Sequence, residues 1–213
     1  MTIDYLLNYW KTNRIVTEKR VLEAFKKIDR RLFVPQHLWH VAYQDTPLPL
    51  LKGQTISQPT TVAIMTQALR LKPGMKVFEV GAGSGYQAAL IGYIVGDNGK
   101  VITLEYFPEL ADMAKRNLIK AGIKNVKVIT GDGSLGYPKE APYDRIILTC
   151  AAPDFPPPFI KQLKENGIIL APLGNHRFSQ QLIRATKRKG KLIREALGSF
   201  VFVPLRGKHG FKE

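Results

Sequence analysis

The sequence predicts an α/β fold, in which one mostly parallel sheet of seven strands ends in an antiparallel hairpin and is preceded by a helical cap. Two observations lead to this prediction. In the middle of the chain, five short apolar runs alternate with helical runs, which is typical of a parallel sheet with helices on both faces. The alternation then stops, and two long runs, 180–187 and 191–205, flank the turn Lys189-Gly190, which indicates a hairpin.

The length of 213 residues suits a single domain. We divide it into a cap of helices and loops over 1–58, an α/β core over 59–178, and a hairpin with a tail over 179–213. The cap begins with two segments, 3–10 and 18–28; the second has helical periodicity and predicts an amphipathic helix, and an ordered loop without such periodicity leads to the core. We expect the cap to form part of the active site and the tail to bind substrate.

The composition excludes several classes of protein. A hydrophobic content of 45% and a charged content of 23% are ordinary for a globular protein, and one cysteine excludes an internal disulfide framework. Four scattered histidines give no metal-ligand spacing, so no metal is expected. No run of ~20 apolar residues and no signal-peptide pattern is present, so we predict a cytoplasmic protein without a membrane partner. The net charge of +15 is compatible with a nucleic-acid partner, with anionic substrates or with a solvated basic surface.

A glycine-rich loop is the first candidate binding element. Residues 76–80 read as a buried strand that stops at Gly81, Gly83 and Gly85, and the helical run 86–95 follows. Glycines at such a bend let the backbone approach a ligand, and the following helix N-terminus favours an anion. An ordinary glycine-rich turn is the alternative reading.

The spacing in this loop argues for one cofactor over another. A dinucleotide fingerprint needs its third glycine at position 86, where this chain has Tyr86. The next strand, 100–104, leads to Glu105, about 20 residues beyond Gly85, where a carboxylate accepts hydrogen bonds from ribose hydroxyls. The loop therefore predicts a ribose and a small anion, and S-adenosyl-L-methionine, with its methionine carboxylate, fits better than NAD.

Residues 53–59, Gly-Gln-Thr-Ile-Ser-Gln-Pro, form the second informative stretch. A serine two residues before a proline and an apolar helical run resembles a helix entrance, so the spacing favours Ser57 as the helix N-cap. The functional alternative is that Gly53 bends this loop toward the cofactor. The hydroxyls of Thr55 and Ser57 would then face the reacting centre.

Two further strand ends carry candidate residues. Strand 126–130 is followed by Gly131-Asp132-Gly133, where Asp132 can accept a hydrogen bond from an adenine amino group, although a simple turn is also compatible. The segment 154–159 is a near miss for the Asp-Pro-Pro-aromatic motif of enzymes that methylate nucleobase amines. We interpret Cys150 as a small core residue at a strand end.

The remaining elements complete the count. Residues 108–121 form a predicted helix that ends at Gly122, strand 145–150 follows, and a helix over 156–163 leads to strand 168–172. Five alternating strands and two hairpin strands make seven. This is the layout of the Rossmann-like, class I S-adenosylmethionine-dependent methyltransferases.

From about Leu22 to the end, the chain resembles the protein-L-isoaspartate (D-aspartate) O-methyltransferase family. The segments that carry the resemblance are 53–59, 79–86, 131–133, 141–144, 151–153, 163–167 and 202–205. The Thr-Ile-Ser segment and the Val-Pro-Leu ending are the most particular to this family. One departure is Thr60, where family members often have histidine or tyrosine, at a position that the resemblance implies lies near the methionine moiety.

The resemblance implies a role for each motif residue. Ser57 is the implied active-site residue, and Ser57, Thr55 and Val203 are the implied substrate-binding residues. The implied cofactor-binding residues are Gln54, Thr55, Ile56, Ser57, Glu79, Gly81, Gly83, Ser84, Gly85, Glu105, Asp132 and Gly133.

The implied reaction is methyl transfer from S-adenosyl-L-methionine to the carboxylate of L-isoaspartyl residues in damaged proteins and peptides, with D-aspartyl residues as further candidates. It yields S-adenosyl-L-homocysteine and starts repair through a succinimide. Because a carboxylate with a pKa of ~4 is ionised at pH 7, no general base is needed, and we expect Ser57 to position the acceptor. A tRNA adenine-N1 methyltransferase, which would explain the charge, and a non-catalytic binding module remain alternatives, although the Thr-Ile-Ser segment argues against a nucleic-acid partner.

Overall fold

A seven-stranded sheet forms the centre of the molecule. The computed structural model describes residues 1–175 and 177–212; residues 176 and 213, which fall in the predicted core and tail, lie outside the described residues. A ribbon of two short strands comes first, and the seven strands of the sheet follow. The strands are β1 Leu48–Pro49, β2 Thr55–Ile56, β3 Lys76–Val80, β4 Lys100–Glu105, β5 Val126–Thr130, β6 Tyr143–Leu148, β7 Leu163–Leu173, β8 Gln180–Arg188 and β9 Lys191–Phe200.

The order of the strands in the sheet is β5-β4-β3-β6-β7-β8-β9. The first five of these run parallel, and β8 and β9 are antiparallel to their neighbours. The chain builds outward from β3 in one direction and then returns to its other side with β6, so the strand order reverses between these two strands. In open α/β sheets, ligands bind beside the carboxyl ends of the strands at such a reversal. The predicted fold class is confirmed.

Six helices in the described residues cover the sheet and form the cap. They are α1 Ile3–Thr12, α2 Lys19–Lys27, α3 Pro59–Ala68, α4 Tyr86–Val95, α5 Pro108–Lys120 and α6 Pro157–Gln162. Nine of the ten residues of α4 are buried, because this helix is enclosed between the sheet and α2. A helix that is apolar on all sides is expected in such a position. None of these helices is both long and apolar enough to span a bilayer.

An aromatic cluster attaches the cap to the start of α4. Trp10 and Phe25 make an edge contact with ring centroids 5.1 Å apart, and Phe25 makes another with Tyr86 at 5.9 Å. Phe33 packs on the other side of Tyr86 at 5.3 Å. The guanidinium of Arg30, which is fully buried, lies 5.1 Å from the centre of the Tyr86 ring. Burial lowers the pKa of Arg30 to about 10, against the raising effect of the nearby Tyr86, Tyr43 and Asp45.

The structure corrects three predicted boundaries. Helix α6 ends at Gln162, and β7 already begins at Leu163, because Leu163 pairs with Tyr143 ahead of a register shift. The second hairpin strand ends at Phe200, since the segment 201–205 leaves the edge of the sheet and runs beside Ala151. The predicted loop before the core contains β1, which pairs with β2.

Candidate active site

A cavity opens at the carboxyl ends of β3, β4 and β6, where the strand order reverses. Three segments bound this inner cavity: residues 54–57 from the cap, the glycine loop with Gly81, Ala82, Gly83 and Ser84, and the tail over 202–206. The walls between them come from the ends of β3, β4 and β6 and from the start of α5. The cavity therefore joins the cap, the core and the tail in one site.

The glycines of the loop have distinct roles. Gly81, Gly83 and Gly85 have φ values of 93°, 54° and 90°, in the left-handed region that favours glycine. A Cβ on Gly81 would also lie 2.6 Å from the hydroxyl oxygen of Thr149, whereas one on Gly85 would press on Ala114 of α5 at 3.3 Å. Gly81 thus permits close packing beneath the cavity, and Gly85 permits close packing of α4 on α5.

Glu105 fixes the far side of the loop. Its carboxylate accepts hydrogen bonds from the backbone N–H groups of Gly83, at 2.8 Å, and Phe107, at 3.1 Å. Both Glu105 and the side chain of Phe107 line the cavity, together with Leu110. A carboxylate beside apolar and aromatic walls suits a ribose with an attached flat base.

Glu79 is buried behind the glycine loop without a counter-ion. Its exposure is 0%, and among the described residues neither of its carboxylate oxygens has a hydrogen-bond partner. Burial raises the pKa of Glu79 to about 8; the Thr103 hydroxyl opposes this shift, and the charge of Glu105 adds to it. An unsatisfied carboxyl in this position suits a cofactor that carries a cationic group.

Asp132 is engaged by the protein itself. One of its oxygens accepts the backbone N–H of Ser134 and the other the backbone N–H of Lys208, each at 2.8 Å. Any side chain on Gly207 would collide with this carboxylate. Gly133, the next residue along the chain, lines the cavity. The tail is therefore fastened over the segment predicted to contact adenine.

A second, outer groove meets the inner cavity beside the cap. Its own residues include Pro47, Gln58 and Ser199. Five residues line both spaces and form what we call the junction: Thr55, Ser57, Thr149, Phe202 and Val203. The three residues predicted to bind substrate, Thr55, Ser57 and Val203, all lie at this junction.

The prediction that Ser57 caps a helix is wrong. Helix α3 begins at Pro59 with Gln58 as its N-cap, and no side chain caps it. The pairing of Leu48 with Ile56 in the β1–β2 ribbon holds the preceding backbone extended, so Ser57 lies one residue short of the cap position. Its hydroxyl is left for the junction.

Thr60 lies outside the cavity. Its hydroxyl accepts the indole N–H of Trp10 at 2.8 Å and donates to Asp45 at 2.7 Å, and its backbone N–H donates to the other oxygen of Asp45 at 2.8 Å. Thr60 is absent from the residues that line the inner cavity and the outer groove. Thr60, the residue that departs from the family pattern, therefore connects α3 to α1 and to the loop that contains Asp45.

Most of the predicted site residues come together. Those that line the inner cavity are Gln54, Thr55, Ile56, Ser57, Gly81, Gly83, Ser84, Glu105, Gly133 and Val203. Glu79, Gly85 and Asp132 do not line it, and contact between these three and a cofactor stays a prediction. No group of His, Cys, Asp and Glu in the described part of the chain is arranged to hold a metal.

Several cavity residues were missed. Tyr106, Phe107 and Arg206 line the cavity, as does Thr149. The two aromatic residues directly follow Glu105, so their position after the second strand was a usable signal. Cys150 also lines the cavity; burial raises the pKa of its thiol far above the ordinary value, with the charges of Glu105 and Glu79 adding to the shift, so it is not a thiolate nucleophile.

Comparisons with known proteins agree with one another. The family model "Protein-L-isoaspartate(D-aspartate) O-methyltransferase" matches residues 1–210. A protein-L-isoaspartate O-methyltransferase 2 from Archaeoglobus fulgidus is 52% identical over 195 residues, which cover 91% of this chain and 88% of the relative. The protein-L-isoaspartate O-methyltransferase of Methanococcoides burtonii is 48% identical over 195 residues, covering 92% of this chain and 96% of the relative.

A solved structure is similar to this chain over nearly its whole length and carries the same family name. A Plasmodium falciparum structure, described as a putative protein-L-isoaspartate O-methyltransferase in complex with S-adenosyl-L-homocysteine, superposes with a TM-score of 0.85 at 26% identity, covering 97% of this chain and 99% of that chain. The tRNA methyltransferase alternative receives no support from these matches. The chain belongs to the protein-L-isoaspartate(D-aspartate) O-methyltransferase family.

Proposed function

We propose that this protein transfers a methyl group from S-adenosyl-L-methionine to the free carboxylate of L-isoaspartyl residues in damaged proteins and peptides, with D-aspartyl residues as further candidates. The observation that carries the proposal is the junction, where a nucleotide-type cavity meets an open groove at Thr55 and Ser57. Membership of the family supports the same reaction. The ester formed would then close to a succinimide and return aspartate.

The residues of the cavity fit the cofactor. Glu105 suits the ribose hydroxyls, and Phe107 and Leu110 suit the adenine. When bound, S-adenosyl-L-methionine supplies an electrophilic methyl group on a sulfonium. The product S-adenosyl-L-homocysteine would occupy the same cavity, and no metal is required.

Ser57 is the proposed active-site residue. Its hydroxyl makes no hydrogen bond within the described residues, so its proton is available to an acceptor carboxylate in the groove. A carboxylate has a pKa of ~4 and is ionised at pH 7, so the site needs alignment of the acceptor oxygen and no general base. Ser57 would hold one carboxylate oxygen while the other attacks.

The experiment is methyl transfer to an isoaspartyl peptide, with the matched aspartyl peptide and bulk tRNA as parallel acceptors. We expect label on the isoaspartyl peptide alone, in a base-labile form. Label on tRNA alone would refute the proposal and favour the nucleic-acid alternative. Ser57→Ala should lower kcat/KM by about 10- to 100-fold, the size of one lost hydrogen bond to a charged group.

Ser199 provides a matched control for Ser57. Its side chain lines the outer groove but not the inner cavity, and it accepts a hydrogen bond from Gln181 at 2.7 Å. We expect Ser199→Ala to keep kcat/KM within about fivefold of the wild type, the size of one neutral hydrogen bond. Equal losses in Ser57→Ala and Ser199→Ala would contradict the role of Ser57.

The net charge of +15 fits acidic, deamidated substrates, so we also expect kcat/KM to fall as salt is raised. A rate independent of salt would contradict this electrostatic contribution alone. The cytoplasmic location stays a prediction.

A further inference from the structure

Thr149 is a junction residue that the sequence motifs do not single out. It directly follows β6, and its backbone N–H donates to the carbonyl of Val80 at 3.0 Å. Thr149 lines both the inner cavity and the outer groove, as Ser57 does. Thr149 and Ser57 therefore place two hydroxyl groups where the methyl donor and the methyl acceptor must meet.

The two hydroxyls present opposite polarity. The Thr149 oxygen lies 2.6 Å from the carbonyl oxygen of Gly81 and 3.0 Å from that of Val80. Carbonyl oxygens only accept hydrogen bonds, so the single hydroxyl proton is directed to them and the oxygen keeps lone pairs for other contacts. Ser57 makes no hydrogen bond within the described residues, so its proton is available.

This difference decides which reactant each hydroxyl suits. A carboxylate only accepts hydrogen bonds, so it is attracted by Ser57 and repelled by the lone pairs of Thr149. A methyl group on a sulfonium carries positive charge, and its C–H groups are weak donors that an oxygen lone pair can accept. We propose that the Thr149 hydroxyl oxygen contacts the C–H groups of the reacting methyl group from the side of the line that joins the sulfur to the attacking oxygen, while Ser57 holds the acceptor carboxylate. This inference rests on the proposed function.

The competing explanation is that Thr149 only clamps the glycine loop, since its hydroxyl binds the Gly81 carbonyl and would lie 2.6 Å from a Cβ on Gly81. The two explanations differ in what they predict for ligands with and without the methyl group. If Thr149 only clamps the loop, it contributes equally to the affinity for S-adenosyl-L-methionine and for S-adenosyl-L-homocysteine. If it contacts the sulfonium methyl group, it contributes to the affinity for S-adenosyl-L-methionine alone.

The test is calorimetric binding of both ligands to the wild type and to Thr149→Val, which keeps the shape and removes the hydroxyl. We expect the affinity for S-adenosyl-L-methionine relative to S-adenosyl-L-homocysteine to fall by about two- to fivefold, the size of one C–H···O contact. We expect kcat on an isoaspartyl peptide to fall by at least the same factor while the peptide KM is unchanged. Ser57→Ala should leave the ratio of the two affinities unchanged.

Thr149→Ser and Thr149→Cys form a matched pair that exchanges only oxygen for sulfur, a weak acceptor. The serine variant should keep the wild-type affinity ratio and the cysteine variant should lose it, and this pair decides the question if Thr149→Val does not fold. Equal weakening of both ligands in Thr149→Val, or equal ratios in the serine and cysteine variants, overturns the inference. Failure of the wild type to bind S-adenosyl-L-methionine would instead overturn the proposed function.

Discussion

Replacing Thr60 with valine removes one hydroxyl group and leaves two partners behind. The indole N–H of Trp10 loses its acceptor at 2.8 Å, and Asp45 loses the shorter of its two hydrogen bonds from Thr60, at 2.7 Å. Trp10 has 0% exposure, so water cannot replace the lost acceptor in the folded protein. Asp45 keeps the backbone N–H of residue 60 at 2.8 Å and is half-buried, so water compensates for part of its loss.

These contacts set the magnitude. A buried donor left without an acceptor costs about 1–3 kcal/mol, and a hydrogen bond to a charged group contributes about 1.5–3 kcal/mol before water replaces it. We expect Thr60→Val to lower the free energy of unfolding by about 2–4 kcal/mol. For a chain of this length each kcal/mol shifts Tm by about 2–4 °C, so the melting temperature should fall by roughly 4–16 °C.

The assay compares thermal unfolding with the affinity for S-adenosyl-L-homocysteine, measured well below the melting transition. Thr60 lies outside the cavity, so we expect the affinity to stay within about twofold of the wild type, less than the effect of one lost hydrogen bond. Thr60→Ser keeps the hydroxyl and should melt close to the wild type. A Thr60→Val variant that melts like the wild type, or that loses cofactor affinity tenfold at full folding, refutes the reasoning.

Three other predictions follow from the cavity and its cover. Burial raises the pKa of Glu79 to about 8, so the folded protein without cofactor keeps a proton that the unfolded chain releases near pH 4.5. The free energy of unfolding should therefore fall as the pH rises between these two values, by up to about 1.4 kcal/mol per pH unit. Glu79→Gln should remove this slope in denaturation curves measured from pH 5 to 9. Gly81→Ala, which sets a Cβ 2.6 Å from the Thr149 oxygen in a left-handed conformation, should weaken S-adenosyl-L-homocysteine binding at least tenfold by calorimetry, and unchanged binding would contradict the observed packing. Lys52→Ala removes an exposed ion pair of 2.7 Å with Glu109. Release of S-adenosyl-L-homocysteine, measured by stopped flow, should accelerate by about two- to fivefold, while the free energy of unfolding changes by less than about 1 kcal/mol. An unchanged release rate would contradict a role for this pair in retaining the ligand.

Local patterns predicted the central part of the fold well. The helix α4 begins and ends where the sequence predicts, because its start is fixed by three glycines and its end by Gly96. Glu105 was found because strand, loop and helix lengths in α/β units vary little, so that a carboxylate about 20 residues beyond the loop falls at the tip of the next strand. Both signals depend only on residues close together in the chain.

The wrong and missed predictions depend on contacts between residues that are further apart in the chain. The N-cap rule favoured Ser57 because it considers only the residues next to the helix, whereas the pairing of Leu48 with Ile56 decides where the extended backbone ends. The sequence likewise gives no local signal that Lys208 donates to Asp132, since 76 positions separate them. Thr149 was missed because its role depends on a carbonyl of the glycine loop, 68 positions earlier.

The two covers of the cavity are fastened differently, and this decides which of them can open. The tail is tied into the sheet by backbone hydrogen bonds: Ala151 donates to Val203 at 2.8 Å and Leu205 donates to Ala151 at 2.7 Å. The cap segment over 50–54 is held across the cavity by the exposed pair of Lys52 with Glu109, and exposed ion pairs contribute about 0–1 kcal/mol. Opening the tail would break buried backbone contacts, whereas opening the cap segment breaks the solvated ion pair and the packing of Leu50 on the core. The cofactor should therefore enter and leave beneath the cap segment, while the tail keeps the acceptor groove in place.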